Sequence, residues 1–183
     1  MDASVCSTCL NNPRVYAGMR SWVEYSGLAR NAIHSLKYKN NIALGYFFSK
    51  KLCHIIEHAA WDFDLVIPVP LSSKHFRERG FNQSALIARP LAHLLRKKYA
   101  GRILYRIRET KSQVNLTAEE RHVNVKGAFW GNPAKLNGRT VLLVDDVITT
   151  GATMENCVTA LLASGAKKVY CISVARVIVN HPI

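Results

Sequence analysis

The segment Val141-Leu-Leu-Val-Asp-Asp-Val-Ile-Thr-Thr-Gly-Ala-Thr153 gathers the residues best suited to chemistry. An apolar run leads into two adjacent acids, then hydroxyls and a glycine, then an amphipathic stretch. Free backbone N–H groups at a helix start attract an anion, and the helix dipole adds to that. Gly151 lets the backbone come close to a phosphate, while Thr149, Thr150 and Thr153 can donate hydroxyl hydrogen bonds. Asp145 and Asp146 need another partner, because carboxylates repel phosphate. They suit the two neighbouring hydroxyls of a sugar, and they can place Mg²⁺ directly or through water. Phosphate at one end and vicinal hydroxyls at the other describe a ribose 5-phosphate.

The elements around this segment must carry it. Val141–Val144 reads as a buried strand, Met154–Ser164 as a helix stopped by Gly165, and Val169–Val174 as the next strand. Ligands of open α/β sheets lie beyond the carboxyl ends of the strands, where the Asp145–Thr153 segment would fall. Upstream, Val15 to Tyr25 reads as extended, with a short hairpin around Gly18. Two helical periodicities follow, one through Leu28, Ala29, Ala32, Ile33 and Leu36, the other through Leu44, Phe48, Leu52, Ile55 and Ala59. Leu65 to Pro70 is a short strand ending in prolines. Phe81 to Leu95 is a helix that Pro90 should kink or delay, and Ile103–Ile107 is a further strand. Arg108 to Lys126 is a polar excursion of the kind that often forms a lid. Strands alternating with helices predict an α/β domain with a central, mostly parallel sheet flanked by helices.

The thirteen residues Val141–Thr153 resemble the PRPP-binding signature of type I phosphoribosyltransferases. They match neither a Walker A loop nor a Gly-x-Gly-x-x-Gly turn. Further stretches resemble the ComF family (ComFC or GntX-like proteins): Ile33-His-Ser-Leu-Lys-Tyr-Lys39, Pro68-Val-Pro-Leu71 with Arg77-Glu-Arg-Gly-Phe-Asn-Gln83, and Gln113 to Phe129. The resemblance implies a type I phosphoribosyltransferase fold in residues 26–183, behind an N-terminal hood segment, 1–25. It implies binding of Mg²⁺–PRPP, with Asp145 and Asp146 on the ribose hydroxyls and 149–153 on the 5-phosphate. The loop Val69, Pro70, Leu71, Ser72, Ser73 and Lys74 would face the pyrophosphate. Arg77 and Arg79 are auxiliary anion contacts on this reading, or else a solvated charge pair flanking Glu78. Asn82 is expected to cap the following helix. Lys111, Gln113 and Arg121 would belong to a mobile loop closing over the ligand.

ComF proteins commonly carry an N-terminal zinc module built from two Cys-x-x-Cys pairs. Here Cys6 and Cys9 form one pair, half the ligands of a tetrahedral structural Zn²⁺. A truncated chain, a lost module or a second subunit would each account for that, and a pair without metal is the simplest reading. His54 and His58 share a helix face without a third ligand and read as partly buried packing residues. Cys53, Cys157 and Cys171 fall singly in apolar stretches as small buried hydrophobes.

The chain has 183 residues, enough for one domain, and carries 25 Lys and Arg against 12 Asp and Glu, a formal net charge of +13. Such an excess favours polyanionic partners. No apolar run reaches the roughly 20 residues of a bilayer span, and no secretory signal is evident, so a cytoplasmic location is expected. Two further readings stand beside catalysis. Lys37-Tyr38-Lys39, Arg96-Lys97-Lys98 and exposed aromatics such as Tyr38 and Tyr99 would suit single-stranded DNA, in keeping with the competence role of ComF relatives. The third reading is a PRPP-responsive regulator without turnover.

Overall fold

A computed structural model describes residues 14–108 and 127–178. Cys6, Cys9, Lys111, Gln113 and Arg121 lie outside the described residues, as does most of the expected lid.

Five parallel strands form the central sheet: β1 (Gly18–Glu24), β2 (Leu65–Pro68), β3 (Lys98–Tyr99), β6 (Thr140–Ile148) and β7 (Lys168–Arg176), in the order β1-β7-β6-β2-β3. Two short strands, β4 (Leu104–Arg106) and β5 (Phe129–Gly131), pair antiparallel as a separate ribbon at the two ends of the undescribed segment. The stretch around Gly18 is therefore no hairpin. Its strand pairs in parallel with β7 from Gly18↔Tyr170 to Glu24↔Arg176, because apolar residues on both of its faces let it join a covered sheet. Ile103–Ile107 is likewise not a strand of the central sheet, whose edge is formed instead by Lys98–Tyr99 against Leu65 and Val66.

Helices cover both faces. On one lie α1 (Gly27–Tyr38), α2 (Ala43–Ala59) and α4 (Gln83–Leu94), packing Ile33, Leu36, Phe48, Leu52, Ile87 and Leu91 against Val66, Leu142, Val144 and Ile172. On the other lie α6 (Ala152–Ala163), the β4–β5 ribbon and the short α5 (Pro133–Leu136), which bury Leu65, Ile67, Val141, Leu143, Val169 and Cys171. Along Val141–Val144 of β6, odd residues go to one layer and even residues to the other, the two-residue period of a strand expressed in packing.

Pro90 neither ends nor delays α4, which runs through it. The carbonyl that a proline at this position leaves without its helical donor belongs to Leu86. Opposite it stands Gly45 of α2, where an added Cβ would lie 2.7 Å from Leu86 O. Two helices thus approach closely at the point where one has lost a backbone hydrogen bond.

Candidate functional site

β6 is longer than its apolar run. It continues through Asp145 and Asp146 to Ile148, so the acid pair sits on the strand and not in the loop after it. The pairing Asp145↔Ser173 and Val147↔Ala175 with β7 carries the ladder that far. Both acids are nearly sealed, at 9% and 3% exposure. Burying carboxylates without partners is costly, and each has them. Ser84 Oγ donates to Asp145 Oδ1 at 2.8 Å, and the Asp146 backbone N–H donates to the same oxygen at 2.9 Å. Gln83 Nε2 donates to Asp146 Oδ1 at 3.1 Å, and Lys37 Nζ forms an ion pair with Asp146 Oδ2.

Two helices deliver these side chains. Lys37 comes from the last turn of α1, anchored by the fully buried Ile33 and Leu36. Gln83 and Ser84 open α4, whose N-cap is Asn82. The Asn82 side chain accepts from Ser84 N at 2.9 Å and donates to Val69 O at 2.9 Å, fixing the helix start against the loop after β2. Asn82 thus takes the capping role expected of it. Gln83 is oriented from behind, because its Oε1 accepts from Arg79 Nη1 at 3.0 Å, which leaves its amide N–H₂ for Asp146. Arg79 also donates to Tyr38 Oη at 3.0 Å and lies over that ring at 4.8 Å.

Burial pushes Asp145 up to about 7, and the neighbouring Asp146 charge adds to the rise. The Ser84 hydrogen bond, Lys37 and the Asp146 N–H oppose it. Desolvation pulls Lys37 down, but attraction to Asp146, their hydrogen bond and the Asp145 charge outweigh it, so the ammonium is held above its ordinary value.

A cavity of about 250 Å³ opens beside the pair, lined by Tyr25, Lys37, Asp145 and residues 147–149 and 151–154. Thr149, Thr150 and Gly151 form the turn after β6, with Gly151 at φ +86° as the N-cap of α6. Ala152 and Thr153 are already in the first turn of that helix. An acid, a cation and a helix N-terminus with hydroxyls therefore line one cavity.

The loop after β2 is shorter than expected. It covers Val69, Pro70, Leu71 and Ser72, while Ser73 and Lys74 start a short helix, α3 (Ser73–Arg79), capped by Ser72 Oγ accepting from His75 N at 3.2 Å. Arg77 is exposed and lines a second cleft of about 480 Å³ with Pro70, Phe76, Tyr105 and Arg106. Arg79 turns the other way, into the acid network. The two arginines, read together from sequence, thus part company.

Lys37 and Ser84 are site residues that sequence reasoning did not single out as partners of the acids. Lys37 stood within a resemblance motif and a basic run, and neither signals a buried ion pair. Three other expectations change. Tyr99 is half-buried, with Arg89 at 5.2 Å from its ring. His54 and His58 are exposed, their rings 4.2 Å apart. Cys157 and Cys171 are buried as expected, whereas Cys53 is only partly so, with Sγ 3.6 Å from Glu57 Oε1. Among the described residues, no three His, Cys, Asp or Glu gather as a metal site, and no helix is long and apolar enough to cross a membrane.

The family model described as phosphoribosyl transferase domain matches residues 82–180. The chain is 32% identical over 174 residues to DNA utilization protein YhgH of Salmonella typhi, covering 91% of this chain and 76% of that one. It is 29% identical over 181 residues to competence protein F of Haemophilus influenzae, covering 95% and 79% respectively. With competence protein ComFC of Bacillus subtilis it shares 26% identity over 169 residues, 90% of this chain and 66% of that one.

Proposed function

The chain belongs to the ComF family of the phosphoribosyltransferase superfamily, and from that footing we propose that its cavity beside β6 holds the ribose 5-phosphate part of PRPP. The observation that carries this reading is the cavity's polarity. Asp145 and Lys37 share its lining with Thr149, Gly151 and Thr153 of the turn and the α6 N-terminus. On this reading the phosphate accepts from backbone N–H groups and threonine hydroxyls, and Asp145 accepts from the ribose hydroxyls.

The acids divide their work. Both oxygens of Asp146 are taken by Gln83 and Lys37, whereas Oδ2 of Asp145 receives no hydrogen bond from the described residues. A carboxylate oxygen at a cavity wall is a fitting donor for Mg²⁺, so Asp145 is the acid that would hold it. The ion would supply charge neutralisation for a departing pyrophosphate. Pro70 and Leu71 of the loop after β2 line the second cleft with Arg77 and would meet that leaving group. Transfer of the ribosyl phosphate to a nucleophile, in the cytoplasm and in the service of DNA use, is the activity this arrangement suits. Without turnover the same pocket would serve as a PRPP sensor.

Calorimetry with PRPP and Mg²⁺ tests the reading. Saturable binding is expected, weakened at least about tenfold in Asp145→Asn through loss of charge-assisted hydrogen bonds. An intact protein that gives no heat with PRPP refutes it.

A specific observation favours a second reading, a single-stranded DNA module. The cleft with Phe76, Tyr105, Arg77 and Arg106 shares Tyr99 and Gly101 with a third of about 520 Å³, lined by Arg89, Lys98, Arg102 and Lys135. Cations interleaved with aromatics suit a strand whose bases stack while its phosphates are neutralised. Oligonucleotide titration across a salt series should give affinity falling steeply with salt and weakened by Arg102→Glu. Affinity indifferent to salt would remove this reading.

A further inference from the structure

Two adjacent buried carboxylates confront an anionic ligand with like charge, which a bound cation can offset. In this chain the place beside Asp146 is filled by protein. Lys37 Nζ pairs with Asp146 Oδ2, Gln83 holds Oδ1 at 3.1 Å, and the Asp146 side chain is only 4% exposed. Lys37 is more than a structural plug, because it also lines the cavity together with Asp145, Thr149, Gly151 and Thr153. Its ammonium, with a side chain 20% exposed, borders both the carboxylate and the ligand space. It comes from α1 and not from the phosphate turn, and the buried Ile33 and Leu36 hold its helix turn in place. Arg79, behind Gln83, adds a second positive charge to the same network.

Resting on the reading that this cavity holds a ribose 5-phosphate group, we propose that Lys37 is the site's built-in cation, neutralising Asp146 so that PRPP binds without an obligatory divalent metal ion. Mg²⁺ then serves the leaving group during turnover and not the holding of the ligand. Lys37 is a positioning residue for the acid pair.

The test is calorimetry of the full chain with PRPP, run once in EDTA and once in Mg²⁺. The wild type should bind in both, with affinities within about threefold of each other, since the charge is already balanced. Lys37→Met should lose at least about tenfold in EDTA and regain most of that in Mg²⁺, because an unbalanced charge now needs a counter-ion. The double variant Lys37→Met/Asp146→Asn removes both members of the ion pair and should depend on the metal no more than the wild type does. Mn²⁺ alone, followed by its paramagnetic resonance signal, should be held more tightly by Lys37→Met than by the wild type, and equal retention by the two would count against the proposal.

A wild type that binds PRPP only in Mg²⁺ overturns the proposal while leaving the ribose 5-phosphate reading intact, and this arm needs no variant to fold. Equal losses by Lys37→Met in both buffers also overturn it, since a structural or direct-contact role would not distinguish them. Absence of PRPP binding in either buffer sinks the underlying reading and the proposal with it.

Discussion

Ser84 Oγ donates to Asp145 Oδ1 at 2.8 Å, tying the first turn of α4 to the carboxyl end of β6. The bond opposes a larger effect, for burial and the Asp146 charge lift Asp145 from its ordinary 3.8 to about 7. The folded chain therefore keeps a proton that the unfolded chain has released. The stability gained in this way is full below the ordinary value and is lost as pH rises through about 7. The ligand-free melting temperature should fall between about pH 4 and 7, and Asp145→Asn should flatten that part of the profile. Ser84→Ala, which removes an opposing bond, should move the decline to higher pH. Profiles that superimpose for wild type and Asp145→Asn would contradict this account.

Lys37 and Asp146 form a buried pair reinforced by Gln83, and removing one partner strands the other. Breaking such a pair typically costs about 3–5 kcal/mol. Lys37 retains some solvent contact, so Lys37→Met should fall near the lower end and Asp146→Asn, which leaves a stranded ammonium, nearby. The double variant should be more stable than the sum of the two losses predicts, because neither charge remains unpaired. Urea midpoints of the four proteins measure this directly. Simple additivity would mean that the pair contributes no coupling.

Much of the fold and half of the site could be read from residue order. The apolar run ending at Asp145, the glycine at 151 and the periodicity of 152–163 are local signals, and a strand, turn and helix stand there. The cap at Asn82 was also legible, because capping depends on a residue and its near neighbours. What stayed hidden depends on distant contacts. Lys37 reaches Asp146 from a remote part of the chain, and no period or spacing encodes that. The extension of β6 through two acids was masked by their low strand propensity, overridden by the ladder to β7 and by partners from α1 and α4. The edge strand at Lys98–Tyr99 is too short for alternation to register.

Gly151 holds φ at +86° where β6 turns into α6, a conformation that costs a residue with a Cβ about 1–2 kcal/mol. A Cβ added there would meet no neighbouring atom within 4 Å, so the cost is conformational and not steric contact within the protein. Gly151→Ala should therefore destabilise by about 1 kcal/mol. On the proposed reading of this turn, it should weaken binding of inorganic phosphate and ribose 5-phosphate by more than that, since the added methyl would crowd the ligand. Gly151→Asn should keep more stability than Gly151→Ala, because asparagine tolerates this region. Phosphate titrations followed by thermal shift separate the two effects.

At Gly45 the obstacle is steric. A Cβ would sit 2.7 Å from Leu86 O and 3.1 Å from Leu86 Cβ, and the first of these is backbone that cannot swing aside. Gly45→Ala should force α2 and α4 apart and cost about 1–3 kcal/mol despite alanine's better helix propensity. A stabilised Gly45→Ala would show that the helices separate freely, and a chemical denaturation curve decides the sign.

Arg79 acts on the acid pair through Gln83. Its Nη1 donates to Gln83 Oε1 at 3.0 Å, and the opposite end of that amide donates to Asp146 Oδ1 at 3.1 Å. Its Nη2 reaches Tyr38 Oη at 3.0 Å, so one guanidinium serves two acceptors along its fork. Lysine presents a point charge and cannot reproduce that fork. Arg79→Lys should therefore keep the local charge yet release the Gln83 amide and weaken PRPP binding by about threefold to tenfold, the scale of one lost hydrogen bond. The chain of contacts also predicts that Arg79→Lys and Asp146→Asn are not independent. A double-mutant cycle on unfolding should give a coupling of about 0.5–3 kcal/mol, whereas sites without a shared partner would add. Gln83→Glu should be more damaging than either, because it sets a third carboxylate against Asp146 in a place where water is scarce.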